Sequence, residues 1–285
     1  MDIRYYSVRA ATQRRRPMDM DKSAVVEGFP PLSHATLQLL RSFADADVGL
    51  LEIAKIVGQD PALAASVISK ANSPLFSSRF EVTDILQAVV MLGADNVRSI
   101  ALSVGFRTAI RVEELADLID AVWRHSVAAA LVARNLAGSL KVAEPGEAYT
   151  AGLLHDLGVV GIASADPEGY RELVAASSKP DFQQASAERG RYGIDSRTAG
   201  GWLAEAWALP ESFTCAMSCE MPQARQGDIC ALVHVSSELA DAHGFGLWNP
   251  DESDPNVVLE RFSFENLFES LPPRQDIEQH VEWAQ

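Results

Sequence analysis

The sequence has few cysteines, no long apolar run and no apolar signal-peptide core. Only three cysteines, Cys215, Cys219 and Cys230, occur in 285 residues, and they fall in one short region. This odd set excludes a disulfide-rich secreted scaffold, so we expect the three thiols to be small core residues in a reducing compartment. No apolar stretch approaches the roughly 18 residues that a membrane helix needs. We therefore expect a cytoplasmic protein without a membrane partner.

Positive charge is also scarce. The chain has 24 basic residues against 39 acidic ones, a net charge of −15, whereas binding to nucleic acid relies on Lys and Arg that neutralise phosphates. We expect no nucleic-acid partner and favour basic protein partners. The exception is a basic leader, residues 1–22, which contains five arginines. We interpret it as disordered; the alternatives are a true start at Met18 or Met20, or an arm that binds nucleic acid.

The patterns that are present are helical. An apolar content of 47% is enough for one large core or two packed subdomains. Apolar residues recur at helical spacing, while alternation of period two is hard to find, so we predict an all-α protein. We expect one domain over residues 23–246, made of a helical N-terminal part (about 23–111) and a second helical part (about 112–246).

The C-terminal stretch, residues 247–285, has the composition of an acidic tail. It carries nine acidic residues against two arginines, and several prolines interrupt it. We predict that the tail is partly ordered at best. One short helix could dock on the body through apolar side chains, namely Phe262, Phe264, Leu267 and Phe268.

Helix starts and stops are clear in the N-terminal part. Asp60 followed by Pro61 predicts an N-cap and first helical residue, and Gly58 predicts the end of the helix before it. Asp84 and Gly93 predict the start and end of another helix over "ILQAVVML". Short connections between these helices favour a bundle.

Two stretches point to chemistry. His125 lies in line with Ala129, Val132 and Leu136 on the apolar face of a long helix, so it should point inward. About thirty residues later, "YTAGLLHDLGVVG" (149–161) sets His155 and Asp156 in an apolar run that we predict to be part of one helix, with small neighbours that permit close helix packing. Imidazole nitrogens and a carboxylate oxygen can share one divalent ion.

The order of seven segments resembles the HDOD domain, a branch of the HD superfamily of metal-dependent phosphohydrolases. The segments cover about three quarters of the chain, and their order is hard to obtain by chance. The resemblance implies a helical N-terminal subdomain packed on an HD-like helical subdomain. The segments are "FPPLS" (29–33), "DPALAASVISKANSPLF" (60–76), "ILQAVVMLGADNVRSIAL" (85–102), "WRHSVAAALVA" (123–133), "AGLLHDLG" (151–158), "GWLAEAWALPES" (201–212) and "ALVHVSSELA" (231–240).

The resemblance also implies metal ligands: His125, His155 and Asp156. The fourth ligand of catalytic members is an Asp, and its place here is Ser237. Further histidines that bind additional ions in related phosphodiesterases fall on Ser196 and on the Ser218–Cys219 pair. We interpret His155 and Asp156 as a hydrogen-bonded polar core. The alternative is a weakly bound divalent metal, with His234 as a substitute ligand.

Three functions are consistent with this interpretation. The first is a bacterial-type signal-transduction or regulatory module that binds a protein partner and has no catalytic activity and no cofactor. The second is a residual metal-dependent phosphohydrolase or phosphodiesterase that acts on a nucleotide or cyclic dinucleotide. The third is a pocket that binds a small nucleotide ligand without cleaving it.

Overall fold

The structure, a computed structural model, describes residues 18–29, 32–42, 48–76, 81–109, 115–177, 183–218, 228–247, 254–262 and 271–284. Within these ranges the regular elements are helices and no strand occurs, which confirms the all-α prediction. A π-helical turn, Asp241–Phe245, follows the fourteenth α-helix. The helices are α1 (Lys22–Gly28), α2 (His34–Ser42), α3 (Leu50–Val57), α4 (Pro61–Ala71), α5 (Ile85–Leu92), α6 (Ala94–Ala109), α7 (Ala116–Leu140), α8 (Pro145–Leu154), α9 (Leu157–Ala165), α10 (Pro167–Ala176), α11 (Gln184–Tyr192), α12 (Ser196–Ala206), α13 (Glu211–Ser218), α14 (Ile229–Ala240), α15 (Pro255–Arg261) and α16 (Arg274–Ala284).

The predicted caps form as the sequence indicates. The Asp60 carboxylate accepts from the backbone N–H groups of residues 62 and 63 at the start of α4, where those N–H groups have no partner within the helix. Asp84 caps α5 in the same way, and Gly93 ends α5 with φ +77°, a conformation that favours glycine. These local signals therefore fix the ends of the N-terminal helices.

Helix α7 is the centre of the second helical part. It is 25 residues long and buries fourteen of them, and it packs against α8 and α14 while α9 packs against α12. One place where the two helical parts meet is the contact between α6 and α8. There the Arg98 guanidinium donates to the Gly146 carbonyl at 2.6 Å, and Ser99 shares a hydrogen bond with the Tyr149 hydroxyl.

Residues 18–22 of the predicted disordered leader pack on the body of the protein. The backbone N–H groups of Met18 and Met20 donate to the carbonyls of Arg191 (2.8 Å) and Tyr192 (2.9 Å), and the Met20 side chain is buried. Helix α1 begins at residue 22 and packs against α9 and α12. The rest of the leader, residues 1–17, lies outside the described residues.

The acidic tail contains two docked helices, where the sequence predicted at most one. Helix α15 buries Val258 and Leu259, and α16 buries Ile277, Val281 and Trp283. The Lys70 ammonium of α4 donates to the Trp283 carbonyl. Of the predicted docking residues, Phe262 is partly buried and packs against the core, whereas Phe264, Leu267 and Phe268 lie outside the described residues.

The docking of α16 is expected to weaken in acid. Burial, with a smaller contribution from Arg134, lowers the pKa of His280 to about 4, below the 6.5 of an exposed histidine, and its Nε2 shares a hydrogen bond of 3.0 Å with the Tyr149 hydroxyl. The neutral ring is favoured in the fold, so the stability it contributes is complete above pH 6.5 and is lost as the pH falls to 4. The full loss is about 3 kcal/mol.

Chemical denaturation between pH 7 and pH 4 measures this effect. His280→Gln keeps a hydrogen-bonding partner for Tyr149 but cannot titrate, so the unfolding free energy of this variant should fall less over the same range. An identical pH dependence in both proteins would show that His280 does not carry the effect.

In the described part of the chain, no single helix is both long and apolar enough to cross a membrane. One bent pair, Ile85–Leu92 with Ala94–Gly105, meets the criteria of length and composition jointly, with a bend of 111°.

Candidate functional site

His125 lies inward on α7, as predicted, and only 2% of it is exposed. Its Nδ1 faces two acceptors, the Phe245 carbonyl at 3.1 Å and the Asp241 carboxylate at 3.2 Å. Because both partners accept, Nδ1 must carry a proton. Its Nε2 is left to face the other side chains of the site.

His155 and Asp156 lie at the break between α8 and α9. The sequence placed them within one helix, whereas α8 ends at Leu154 and α9 begins at Leu157. His155 Nδ1 donates to the Gly152 carbonyl at 2.7 Å, which leaves its Nε2 as an acceptor. The Asp156 carboxylate lies 3.5 Å from His125 Nε2 and 3.3 Å from His155 Nε2. The three predicted residues therefore converge.

Ser237 of α14 completes the cluster by bonding to both imidazoles. Its Oγ lies 3.0 Å from His125 Nε2 and 3.3 Å from His155 Nε2. A hydroxyl has only one proton to donate, so it donates to His155 Nε2 and accepts from His125 Nε2. This arrangement requires His125 to be protonated on both nitrogens. All four ring nitrogens then have partners, as the hydrogen-bonded interpretation predicts.

The pKa shifts agree with that arrangement. Burial alone would lower the pKa of His125, but the Asp241 and Asp156 carboxylates and the Phe245 carbonyl raise it to about 9. Burial lowers the pKa of His155, and the charge on His125 adds to the lowering while Asp156 opposes it. The pair is therefore one cation and one neutral ring at neutral pH.

The same cluster offers three ligands for a metal. One donor atom each from His125, His155 and Asp156 lie within 4.8 Å of one another, and this donor set suits one borderline divalent ion. Ser237, at the position of the fourth ligand, has no negative charge to offer the ion. The Asp241 carboxylate contacts Nδ1 of His125, the nitrogen that faces away from this convergence. The residues thus fit one ion with a weak ligand set.

Metal binding is expected to strengthen as the pH rises. A ligating histidine must lose its proton, and a pKa of about 9 for His125 means that metal competes with that proton at pH 7 at a cost of about 100-fold in affinity. Titration of Mn²⁺ between pH 6.5 and 9 measures the effect. Affinity that stays constant over that range would contradict the protonation of His125.

The places of additional metal ligands are occupied by other contacts. The Ser196 hydroxyl accepts from Gln184 Nε2 at 3.3 Å, and the Ser218 hydroxyl donates to the Thr214 carbonyl at 2.7 Å; Cys219 lies outside the described residues. His234, the substitute ligand considered above, has its Nε2 3.0 Å from Glu238 Oε1. It is therefore held along α14 and does not join the cluster.

A cavity of about 180 Å³ opens beside the cluster. Four of its lining residues, Cys230, Val233, His234 and Ser237, follow one face of α14, and Arg197 of α12 contributes a cation. Ordinary ligand pockets measure roughly 300–1,000 Å³. This cavity is too small to enclose a dinucleotide.

Two features near the cavity were missed by sequence reasoning. Glu188 is fully buried and accepts from the Tyr170 hydroxyl at 2.5 Å, while burial raises the pKa of its carboxyl group. Cys215 and Cys230 are joined in a disulfide between α13 and α14, with 5.9 Å between their Cα atoms. The prediction of three unpaired core thiols is therefore wrong for these two. Neither contact has a local sequence signal, since each joins different helices.

The family model of the HDOD domain matches residues 29–221 of the chain. An uncharacterized protein of Treponema pallidum is 26% identical over 188 residues, which are 65% of this chain and 36% of that protein; the match thus spans about a third of that relative.

Solved structures share the fold. An HDOD domain protein from Geobacter sulfurreducens is 23% identical with a TM-score of 0.66, covering 92% of this chain and 93% of that one. A candidate phosphohydrolase from Shewanella amazonensis is 21% identical with a TM-score of 0.61, covering 91% and 98%. A candidate signal transduction protein from Marinobacter aquaeolei is 20% identical with a TM-score of 0.69, covering 95% and 62%.

Proposed function

The chain belongs to the HDOD family, and from that premise we propose that it is a signalling module that regulates a protein partner by binding it, without catalysis. The observation that carries the proposal is Ser237. A neutral hydroxyl stands where catalytic members have a carboxylate, and it links His125 to His155 by hydrogen bonds. The hydroxyl and the two imidazoles thus satisfy one another by hydrogen bonds.

The remaining ligand set argues against phosphodiester hydrolysis. A bound divalent ion would lower the pKa of a water molecule and stabilise phosphoryl oxygens. Here His125, His155 and Asp156 could hold and orient one such ion. A second ion would need the places of Ser196 and Ser218, whose hydroxyl groups are hydrogen-bonded within the protein. Two-metal chemistry therefore has no protein ligands at these places.

The volume of the cavity beside the cluster and the net charge of the chain favour a protein partner over a nucleotide at this site. A cavity of about 180 Å³ cannot bury most of a nucleotide, which needs a pocket of several hundred Å³. The net charge of −15 favours association with a basic protein surface. We expect this association to take place in the cytoplasm.

Capture of a partner tests the proposal. The tagged full chain should retain a defined basic protein from an extract of its own cells, and an excess of untagged chain should compete that protein away. Deletion of the coding sequence should produce a signalling phenotype. Retention of no competed protein, together with an unchanged phenotype, would overturn the proposal.

One observation favours the second candidate, a residual metal-dependent phosphohydrolase: three donor atoms converge within 4.8 Å. Elemental analysis of protein purified without chelator separates the two functions. We expect less than one metal ion per chain. A full equivalent that is lost in His155→Ala, accompanied by hydrolysis of a phosphodiester, would favour the enzyme.

A further inference from the structure

We propose that Cys215 and Cys230 form a reversible thiol–disulfide couple that ties α13 to α14 and sets the shape of the cavity beside the two histidines. Their Cα atoms lie 5.9 Å apart, within the 4.4–6.8 Å that a disulfide spans. The two residues are on different helices, and the 15-residue separation between them includes a segment outside the described residues. The bond is therefore a direct link between two walls of the site.

The position of the pair connects it to the cluster. Cys230 lines the cavity on the same face of α14 as Ser237, two turns later, and Ser237 holds both imidazoles. Ala216, next to Cys215, lines the cavity from α13. A change in the spacing of α13 and α14 therefore moves residues that contact the histidines.

Helix α13 also packs closely on α12, which amplifies such a movement. A Cβ atom on Gly200 would lie only 2.4 Å from the Met217 carbonyl oxygen, so the two backbones are in contact. Ser196 and Arg197, at the start of α12, also line the cavity. Because close-packed helices shift together, the state of the Cys215–Cys230 bond also affects the residues of α12 that line the cavity.

The reaction needs a low-molecular-weight disulfide as oxidant. Cys215 is partly exposed and Cys230 is buried, so the Cys215 thiolate attacks the oxidant and releases one small thiol. The Cys230 thiolate then attacks the Cys215 sulfur and releases the second. The protein pair loses two electrons and two protons, and the two released thiols gain them. An excess of small thiol reverses both steps.

This inference rests on the proposed function only in that the cavity is taken as the part of the module that responds to signals. Partner capture does not depend on the thiol couple, and the thiol couple can be measured without a partner. Failure of the proposed partner binding is therefore distinguishable from failure of the proposed thiol–disulfide couple.

The experiment uses the full chain carrying Cys219→Ser, which removes the third thiol. The protein is equilibrated in mixtures of reduced and oxidised glutathione, free thiols are alkylated, and the linked peptides are quantified by mass spectrometry. Hydrogen exchange of residues 211–218 and 229–240 is measured in both states. A variant that also carries Cys215→Ser is the matched control.

We expect most of the protein to carry the Cys215–Cys230 disulfide in the most oxidised glutathione mixture and little of it to do so in the most reduced one. In the linked state, amides of α13 and α14 should exchange at least about tenfold more slowly, and the Cys215→Ser control should not respond to glutathione. Absence of the linked peptide at every ratio, its persistence in excess reduced glutathione, or equal exchange in the two states would each overturn the proposal.

Discussion

Replacing Gly158 with alanine is expected to unfold the protein. A Cβ atom at this position would lie 1.7 Å from the Ser196 carbonyl oxygen and 2.6 Å from the Gly200 backbone nitrogen. Both are backbone atoms of α12, so no side chain can move aside, and α9 would have to separate from α12. Overpacking against rigid backbone should cost at least about 4 kcal/mol, which denaturant titration measures.

Gly190→Ala provides the matched control. Gly190 lies on α11, and a Cβ atom added there would meet nothing within 4 Å, so alanine should leave the unfolding free energy unchanged or raise it by up to about 1 kcal/mol. Equal effects of the two substitutions would show that α9 and α12 are not in backbone contact. That contact brings Ser196 and Arg197 to the cavity, so the described shape of the site would be wrong as well.

Replacing Ser237 with aspartate is expected to raise the affinity for a divalent metal by at least about 100-fold, since even the partners that support a metal ligand carry about 10- to 100-fold each. The new carboxylate would stand within reach of both Nε2 atoms, where the hydroxyl now lies 3.0 and 3.3 Å from them. It would add the negative charge that offsets the dication. Calorimetric titration with Mn²⁺ at a fixed pH measures the change.

Ser237→Asn controls for size, because asparagine matches the shape of aspartate without its charge. We expect its affinity for Mn²⁺ to stay close to that of the wild-type protein. If the aspartate and asparagine variants bind Mn²⁺ equally well, the missing charge at residue 237 is not what weakens the wild-type site.

The sequence alone was sufficient to predict the features that depend on a single segment of the chain. The Asp60–Pro61 start of α4 and the Gly93 end of α5 form as predicted, because caps depend on neighbouring residues only. The inward direction of His125 followed from its position on the apolar face of α7. The convergence of His125, His155 and Asp156 came from the family resemblance, which carries tertiary information that helical spacing lacks.

The remaining features depend on contacts between distant segments. The break at His155 has no proline, and its neighbouring small residues also suit a continuous helix. The Ser237 hydrogen bonds require α7, α8 and α14 to meet. Cys219 is closer to Cys215 in sequence, at four residues, but the disulfide partner of Cys215 is Cys230 on the neighbouring helix α14. Helix α16 did have a signal, since Ile277, Val281 and Ala284 follow helical spacing.

Hydrolysis of bis(p-nitrophenyl) phosphate by the Mn²⁺-supplemented full chain, with His155→Ala measured beside it, decides whether the site is a catalytic centre. We predict that the wild-type rate equals that of the variant, because the cluster of His125, His155, Asp156 and Ser237 is a hydrogen-bonded core. A wild-type rate that clearly exceeds the rate of His155→Ala would contradict this prediction and identify the protein as a working phosphohydrolase.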